Sequence, residues 1–181
     1  MKSGDGKLTA ALSRDHTIHF DTSGLMTTTG GKWTTYRNMA EHAVDQAADF
    51  GGLAERPCVT RSLNVHGFHS NADRFGALGM YGSDALAIQD LMQATPSLST
   101  PLHPQLPYTG AEVVWATRHE MARTVEDVLA RRTRALFLNA RAAAAMASEV
   151  GRLMARELGW DAAQQASHVA AFVELARGYQ I

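Results

Sequence analysis

Apolar and polar positions change their period near Thr34. Upstream, Thr17-Ile18-His19-Phe20 alternates polar and apolar, Asp21-Thr22-Ser23-Gly24 has turn chemistry, and residues 25–29 can return. That pattern predicts a β-hairpin. A lone two-stranded hairpin is barely stable in water, so it should belong to a larger sheet, and no other clear strands follow to build one. Downstream, Tyr36, Ala40, Val44 and Ala47 recur at helical spacing, with Arg37, Glu41, Asp45 and Asp49 opposite. Gly51-Gly52 should stop that helix. Residues 57–71 read as an irregular connector, and Ser83 is placed to cap a short helix running to about Gln93.

Four of the five prolines (Pro96, Pro101, Pro104 and Pro107) crowd the next segment, which is read as an extended, ordered loop because proline lacks an N–H and fixes φ. From Thr109 onward the chain reads as helix. Thr109-Gly110-Ala111-Glu112 is a capping box, and Thr124-Val125-Glu126-Asp127 resembles a second cap. Asn139 should cap a long helix with the apolar stripe Ala143, Ala147, Val150, Met154 and Leu158, ended by Gly159. Asp161-Ala162-Ala163-Gln164 opens the last helix, with Ala166, Val169, Ala170 and Val173 expected inward. Short loops make such helices antiparallel neighbours, hence a small bundle. The alanines of residues 142–147 suit close helix packing or simple helix propensity.

A chain of 181 residues with 45% hydrophobic residues can bury a core without disulfides or metals. Charge is balanced, 17 Lys+Arg against 18 Asp+Glu, which argues against nucleic acid as a partner. Cys58 is the single cysteine, so neither an internal disulfide nor a thiolate-rich zinc site is available, and a reducing, cytosol-facing compartment is expected. No run approaches the ~18 apolar residues of a membrane span. Residues 1–15 carry no apolar core of a signal peptide.

Candidate chemistry centres on Gly30-Gly31-Lys32-Trp33-Thr34-Thr35-Tyr36-Arg37. Glycines admit close approach to a ligand, a helix N-terminus offers N–H groups and partial positive charge, and Lys32 and Arg37 add formal charge. The block suits a phosphate or the electron-rich edge of a flavin. Taken alone it reads more readily as an ordinary glycine turn before a helix. It is not a P-loop, because Met26 and Trp33 stand where that motif needs Gly and Ser or Thr. Arg14, within Ser13-Arg14-Asp15-His16, could fork onto a phosphate or belong to a surface charge cluster. His66 and His69 lack further ligands at metal-site spacing and read as connector histidines, so no metal is expected. Arg131, Arg132 and Arg134, near Glu126 and Asp127, read as a salt-bridged helical face. No Gly-x-Gly-x-x-Gly occurs anywhere in the chain.

Taken in order, Ala11-Leu12-Ser13-Arg14-Asp15-His16, the Gly30–Glu41 block, Tyr81-Gly82-Ser83-Asp84-Ala85, Glu112 with Arg118-His119-Glu120, and residues 124–134 strongly resemble the C-terminal part of FAD-dependent glycerol-3-phosphate dehydrogenases. The resemblance implies a mainly α fold. Residues 1–33 would be a β-hairpin remnant of the FAD and substrate domain, and residues 34–181 a helical bundle domain. It implies a parent enzyme that oxidises glycerol 3-phosphate to dihydroxyacetone phosphate and passes electrons through FAD to quinone. By the same resemblance Gly30, Gly31, Lys32 and Thr34 would sit at the flavin pyrimidine edge, with Lys32 also near substrate, and Arg14 would face the substrate phosphate. The catalytic base is left unassigned. The partner implied is an N-terminal FAD domain of the same polypeptide, without which this chain should be inactive. A homo-oligomer is compatible with this reading. The parent would be cytoplasmic, or peripheral on the cytoplasmic face of the inner membrane. A free-standing helical interaction module without catalysis is the competing reading, and an independent anion-binding protein a third.

Overall fold

The computed structural model describes residues 15–180 and divides into two compact units at Val65/His66. Arg14 therefore lies outside the described residues.

In the first unit, β1 (His16–Phe20) pairs antiparallel with β2 (Met26–Gly30), Ile18 opposite Thr28. The Asp21 carboxylate closes the turn by accepting from the Ser23 backbone N–H at 2.7 Å, the Ser23 hydroxyl at 2.6 Å and the Leu25 N–H at 3.1 Å. The Ser23 hydroxyl bond leads in holding that carboxyl below its ordinary pKa. A 3₁₀ turn (Trp33–Thr35) leads into α1 (Tyr36–Phe50), and Phe20 stacks on Phe50 at 4.5 Å. Among the described residues of this unit none is buried. The apolar stripe of α1 faces outward: Tyr36 is 60% and Val44 66% exposed, and Ala40 and Ala47 are exposed too. The polar side is the covered one. Arg37 pairs with Glu41 at 2.7 Å and donates to Thr60 at 3.2 Å, and Arg61 approaches Glu41 at 3.9 Å. The helix is amphipathic as its period predicts, but among the described residues of this unit none covers the apolar stripe.

The second unit holds the core. A 3₁₀ segment (Ala72–Asp84) breaks at Gly76 and Gly82, both at φ 56°. A Cβ on Gly82 would fall 1.7 Å from the Gly67 carbonyl oxygen, so only glycine fits there. Ser83 is not the cap of α2 (Ala85–Ala94): its N–H is bonded to Gly67 and Asp84 occupies the cap position. The proline segment is more structured than an extended loop. It contains a 3₁₀ turn (Pro96–Ser99) and a second hairpin, β3 (Pro101–His103) with β4 (Leu106–Thr109), irregular in register between Pro101 and His103.

The helices α3 (Gly110–His119), α5 (Ala140–Leu158) and α6 (Ala162–Arg177) follow the capping signals closely, and a short α4 (Ala135–Leu138) starts from Arg134 in the left-handed region without a side-chain cap. Asn139 accepts from Ala142 at 3.0 Å, and Asp161 and Gln164 bond reciprocally at 2.8 and 3.0 Å. Gly159 closes α5 in the left-handed region. The α5 stripe is buried as its period required, Val150 and Met154 fully so. At Gly151 a Cβ would meet Val169 at 2.5 Å, which shows how closely α5 and α6 approach. On α6, Val169 and Val173 pack against the core as expected, but Ala166 and Ala170 are exposed, and Phe172 and Ala176 are the fully buried positions. Phenylalanine offers far more apolar surface to bury than alanine, so it sets the helix's rotation.

Between α3 and α4 the arginine-rich block forms a π-helical turn (Asp127–Arg132). Asp127 accepts from the Arg123 and Thr124 N–H groups at 3.0 and 2.9 Å, while Thr124 accepts from the Asp127 N–H. Arg131 pairs with Glu126 and Asp127, as the spacing suggested, and Arg132 donates to the Glu120 carbonyl. Among the described residues no helix is long and apolar enough to cross a membrane.

Candidate functional site

The site builds outward from the end of β2. Gly30 and Gly31 adopt φ of +82° and +81°, a region costly for other residues. A Cβ on Gly30 would sit 2.7 Å from the Asp15 carbonyl oxygen, and one on Gly31 2.3 Å from the Met39 sulfur. The turn is thus packed against the start of β1 and the first turns of α1. Lys32 closes it: its carbonyl accepts from the Thr35 hydroxyl at 3.0 Å and the Thr35 N–H at 3.0 Å, and its own N–H donates to Thr35 Oγ1 at 3.3 Å. Gly30, Gly31, Lys32 and Thr34 therefore share one compact turn opening a 15-residue helix. The side chains of Lys32 and Thr34 are exposed. Trp33 stacks on Tyr36 at 5.4 Å and is 86% exposed.

Arg37, counted in the sequence as part of the anion-attracting block, is turned to Glu41, Asn38 and Thr60. Its hydrogen bond leads in holding the Glu41 carboxyl below its ordinary pKa. A groove of about 1030 Å³ runs along α1 and the connector, lined among others by Glu41, Val44, Asp45, Leu53 and Cys58.

One feature of this site has no signal in the local sequence pattern. His16, directly opposite Gly30 in the β1–β2 ladder, places Nε2 3.1 Å from Nδ1 of His42 on α1. Its Nδ1 is 3.3 Å from the Asp15 carboxylate. The two histidines are 26 positions apart, and only the packing of hairpin on helix joins them.

His66 and His69 have structural partners. His66 pairs with Asp84 at 2.8 Å, and His69 accepts from the Asn71 N–H and stands edge-on to Phe75. No group of three metal-ligating side chains occurs among the described residues. In the second unit Glu112 is 3% exposed and accepts from Tyr81 at 3.1 Å and from the Thr109 N–H and hydroxyl at 2.8 and 3.0 Å. Burial raises its pKa despite those bonds, and burial likewise pushes the Tyr81 phenol up.

The chain thus combines a hairpin ending in a glycine turn with a separately cored, mainly helical unit. A family model described as the C-terminal domain of alpha-glycerophosphate oxidase matches residues 29–165, and the chain belongs to that family. The chain is 40% identical over 186 residues to a probable mitochondrial glycerol-3-phosphate dehydrogenase of Caenorhabditis elegans, covering 91% of this chain and 26% of that protein. It is 35% identical over 180 residues to the mitochondrial glycerol-3-phosphate dehydrogenase of Mesocricetus auratus, covering 88% and 24%. Thus it spans about a quarter of the length of these curated relatives. In fold it is similar to the glycerol-3-phosphate dehydrogenase of Bacillus halodurans, solved with FAD, at a TM-score of 0.64 and 23% identity over 90% of this chain and 36% of that one.

Proposed function

We propose that this chain is the C-terminal part of an FAD-dependent glycerol-3-phosphate dehydrogenase. The parent oxidises glycerol 3-phosphate to dihydroxyacetone phosphate and passes the electrons through FAD to quinone. The observation that carries the reading is α1. An amphipathic helix of this strength buries its apolar stripe in a complete protein. Here that stripe lies open beside the glycine turn, which is what separation from an FAD domain of the same polypeptide leaves. Membership of a family described as the C-terminal domain of alpha-glycerophosphate oxidase supports this reading.

When bound, FAD supplies the two-electron acceptor. Gly30 and Gly31 fit its pyrimidine edge, since neither carries a side chain that would hold the cofactor off. Lys32 and Thr34 flank the same turn with exposed polar ends. The Lys32 ammonium would favour negative charge developing on the reduced flavin and would lie near substrate. Arg14 would take the substrate phosphate by its planar fork. The parent would be cytoplasmic, or peripheral on the cytoplasmic face of the inner membrane.

The test joins this chain to its FAD domain. Glycerol 3-phosphate should bleach the flavin of the joined protein, and a quinone analogue should restore the colour. The 181-residue chain alone should neither hold FAD nor turn over. Flavin-dependent turnover by the chain alone, or none by the joined protein, would overturn the reading. In the joined protein Lys32→Ala should lower the flavin reduction potential.

A further inference from the structure

Lys32 brings the only formal charge to the turn that Gly30, Gly31, Lys32 and Thr34 share. An ammonium rides on a flexible stem, and the direction in which that stem leaves the chain is set by the backbone. Lys32 adopts φ −135° and ψ 155°. The residues before it do little to hold those angles. Gly30 and Gly31 precede it, both at positive φ, and glycine is the least restricted residue. The β1–β2 ladder ends at Gly30, opposite His16, so no strand pairing reaches Lys32.

What holds Lys32 comes from the other side. Thr35 Oγ1 accepts from the Lys32 N–H at 3.3 Å and donates to the Lys32 carbonyl at 3.0 Å. A hydroxyl has one proton to give and lone pairs to receive, so both bonds can exist together. They fasten the peptide groups on either side of the Lys32 Cα to one atom. The Thr35 N–H adds a third bond to the same carbonyl at 3.0 Å.

Thr35 also stands at the N-cap of α1, where a threonine hydroxyl ordinarily accepts from an N–H of the helix's first turn. Here it makes no such bond. The hydroxyl is spent on Lys32 instead of on the helix. Its neighbour differs: the Thr34 hydroxyl is exposed and has no hydrogen-bond partner among the described residues. The two adjacent threonines thus divide the work, one open to a ligand and one turned back on the chain.

We propose that Thr35 is a positioning residue for Lys32, its hydroxyl clamping the Lys32 backbone so that the ammonium is aimed at the flavin edge. This rests on the functional reading above, which places Lys32 at that edge. Thr35 itself touches neither flavin nor substrate and acts only through Lys32.

The experiment reads the flavin midpoint potential of the FAD-joined parent, which reports the ammonium without requiring turnover. Lys32→Ala gives the full downward shift. Thr35→Val keeps the side chain's shape, removes the hydroxyl and should give a large part of that shift. Thr35→Ser, which keeps the hydroxyl, should restore the wild-type potential. In the double variant, Thr35→Val should add nothing to Lys32→Ala, whereas damage to the fold at large would add to it. A second measurement uses the 181-residue chain and stands whether or not Thr35→Val retains FAD. The three-bond coupling between the Lys32 amide and α protons should be large, as φ −135° requires, should fall toward a rotationally averaged value in Thr35→Val and should stay large in Thr35→Ser. A wild-type potential in Thr35→Val, a further shift in the double variant, or a Lys32 coupling indifferent to Thr35→Val would overturn the proposal while Lys32→Ala still upholds the flavin-edge reading. A potential that Lys32→Ala leaves unmoved would overturn both.

Discussion

Helices α1 and α5 carry apolar stripes of the same period and meet opposite fates. On α5, Val150 is fully buried, while on α1, Val44 is 66% exposed. The hydrophobic effect rewards apolar area removed from water, and it can act only where a partner surface exists. The second unit supplies that surface from α3, α4 and α6. The first unit has a two-stranded hairpin and an irregular connector, and these cover the polar side of α1 instead. One unit therefore encloses a core, while in the other no described residue is buried and the apolar stripe of α1 faces outward.

Placing a charge on each stripe is the sharpest way to break this contrast. Val150→Asp would bury an unpaired carboxylate and should cost about 4 kcal/mol or more, close to the whole stability of a small domain. Val44→Asp should change the stability of this chain by less than about 0.5 kcal/mol, since it faces water. In the FAD-joined enzyme the same Val44→Asp should cause loss of flavin or early unfolding. Urea denaturation followed by circular dichroism measures the first pair. A large cost for Val44→Asp in the isolated chain would mean that the α1 stripe is already covered.

A second effect is confined to the finished unit. Glu112 joins the capping box of α3 to Tyr81 of the preceding segment. Glu112→Ala would strip the buried Thr109 N–H and the Tyr81 hydroxyl of their acceptor and remove a cap, at about 3 kcal/mol in all. Tyr81→Phe should recover little of that, because the Thr109 N–H stays orphaned.

How far the sequence could foresee this contrast depends on distance along the chain. Asn139, Asp161 and Thr109 announced their helices because a cap is closed by residues three positions away. The turn from Gly30 to Thr34 was legible for the same reason. What escaped was nonlocal. The β3–β4 hairpin is three and four residues long and proline-bearing, too short to show an alternation. Ser83 looked like a cap until Gly67, sixteen positions back, took its N–H. The burial of Glu112 depends on Tyr81, and the His16–His42 pair on the fold of the hairpin over α1. The α1 stripe itself was legible, but whether anything covers it is a property of the surroundings and not of the helix.

A smaller effect probes how tightly the finished core is closed. Gly151→Ala gains up to about 1 kcal/mol of helix propensity. It also places a methyl group 2.5 Å from Val169, an overlap that must push α5 from α6 and that costs about 1–3 kcal/mol in packed cores. A net destabilisation of about 1 kcal/mol is expected in urea melts. Pairing it with Val169→Ala, which makes room, should reverse part of the loss.

The smallest effect is the acid response, to which two carboxyls of the second unit contribute with opposite signs. Asp127 is subject to burial, which works to raise its pKa, but the N–H groups of Arg123 and Thr124, the Thr124 hydroxyl and Arg131 outweigh it and hold the value below 3.8. A carboxyl depressed on folding adds stability above its unfolded value and loses it as pH falls through the folded one. Glu112 has the opposite sign. Burial leads in raising its pKa above 4.5, so the native state takes up its proton first and gains stability as pH falls through that raised value. Stability contributed by Glu112 should therefore grow on mild acidification, while that contributed by depressed carboxylates such as Asp127 is lost as the pH falls through their lowered values. Asp127→Asn removes the acceptor for two backbone N–H groups and should cost about 1 kcal/mol at neutral pH. That cost should shrink toward zero as wild-type Asp127 itself becomes protonated. A cost independent of pH down to the acid limit would show that the cap works by shape and not by charge.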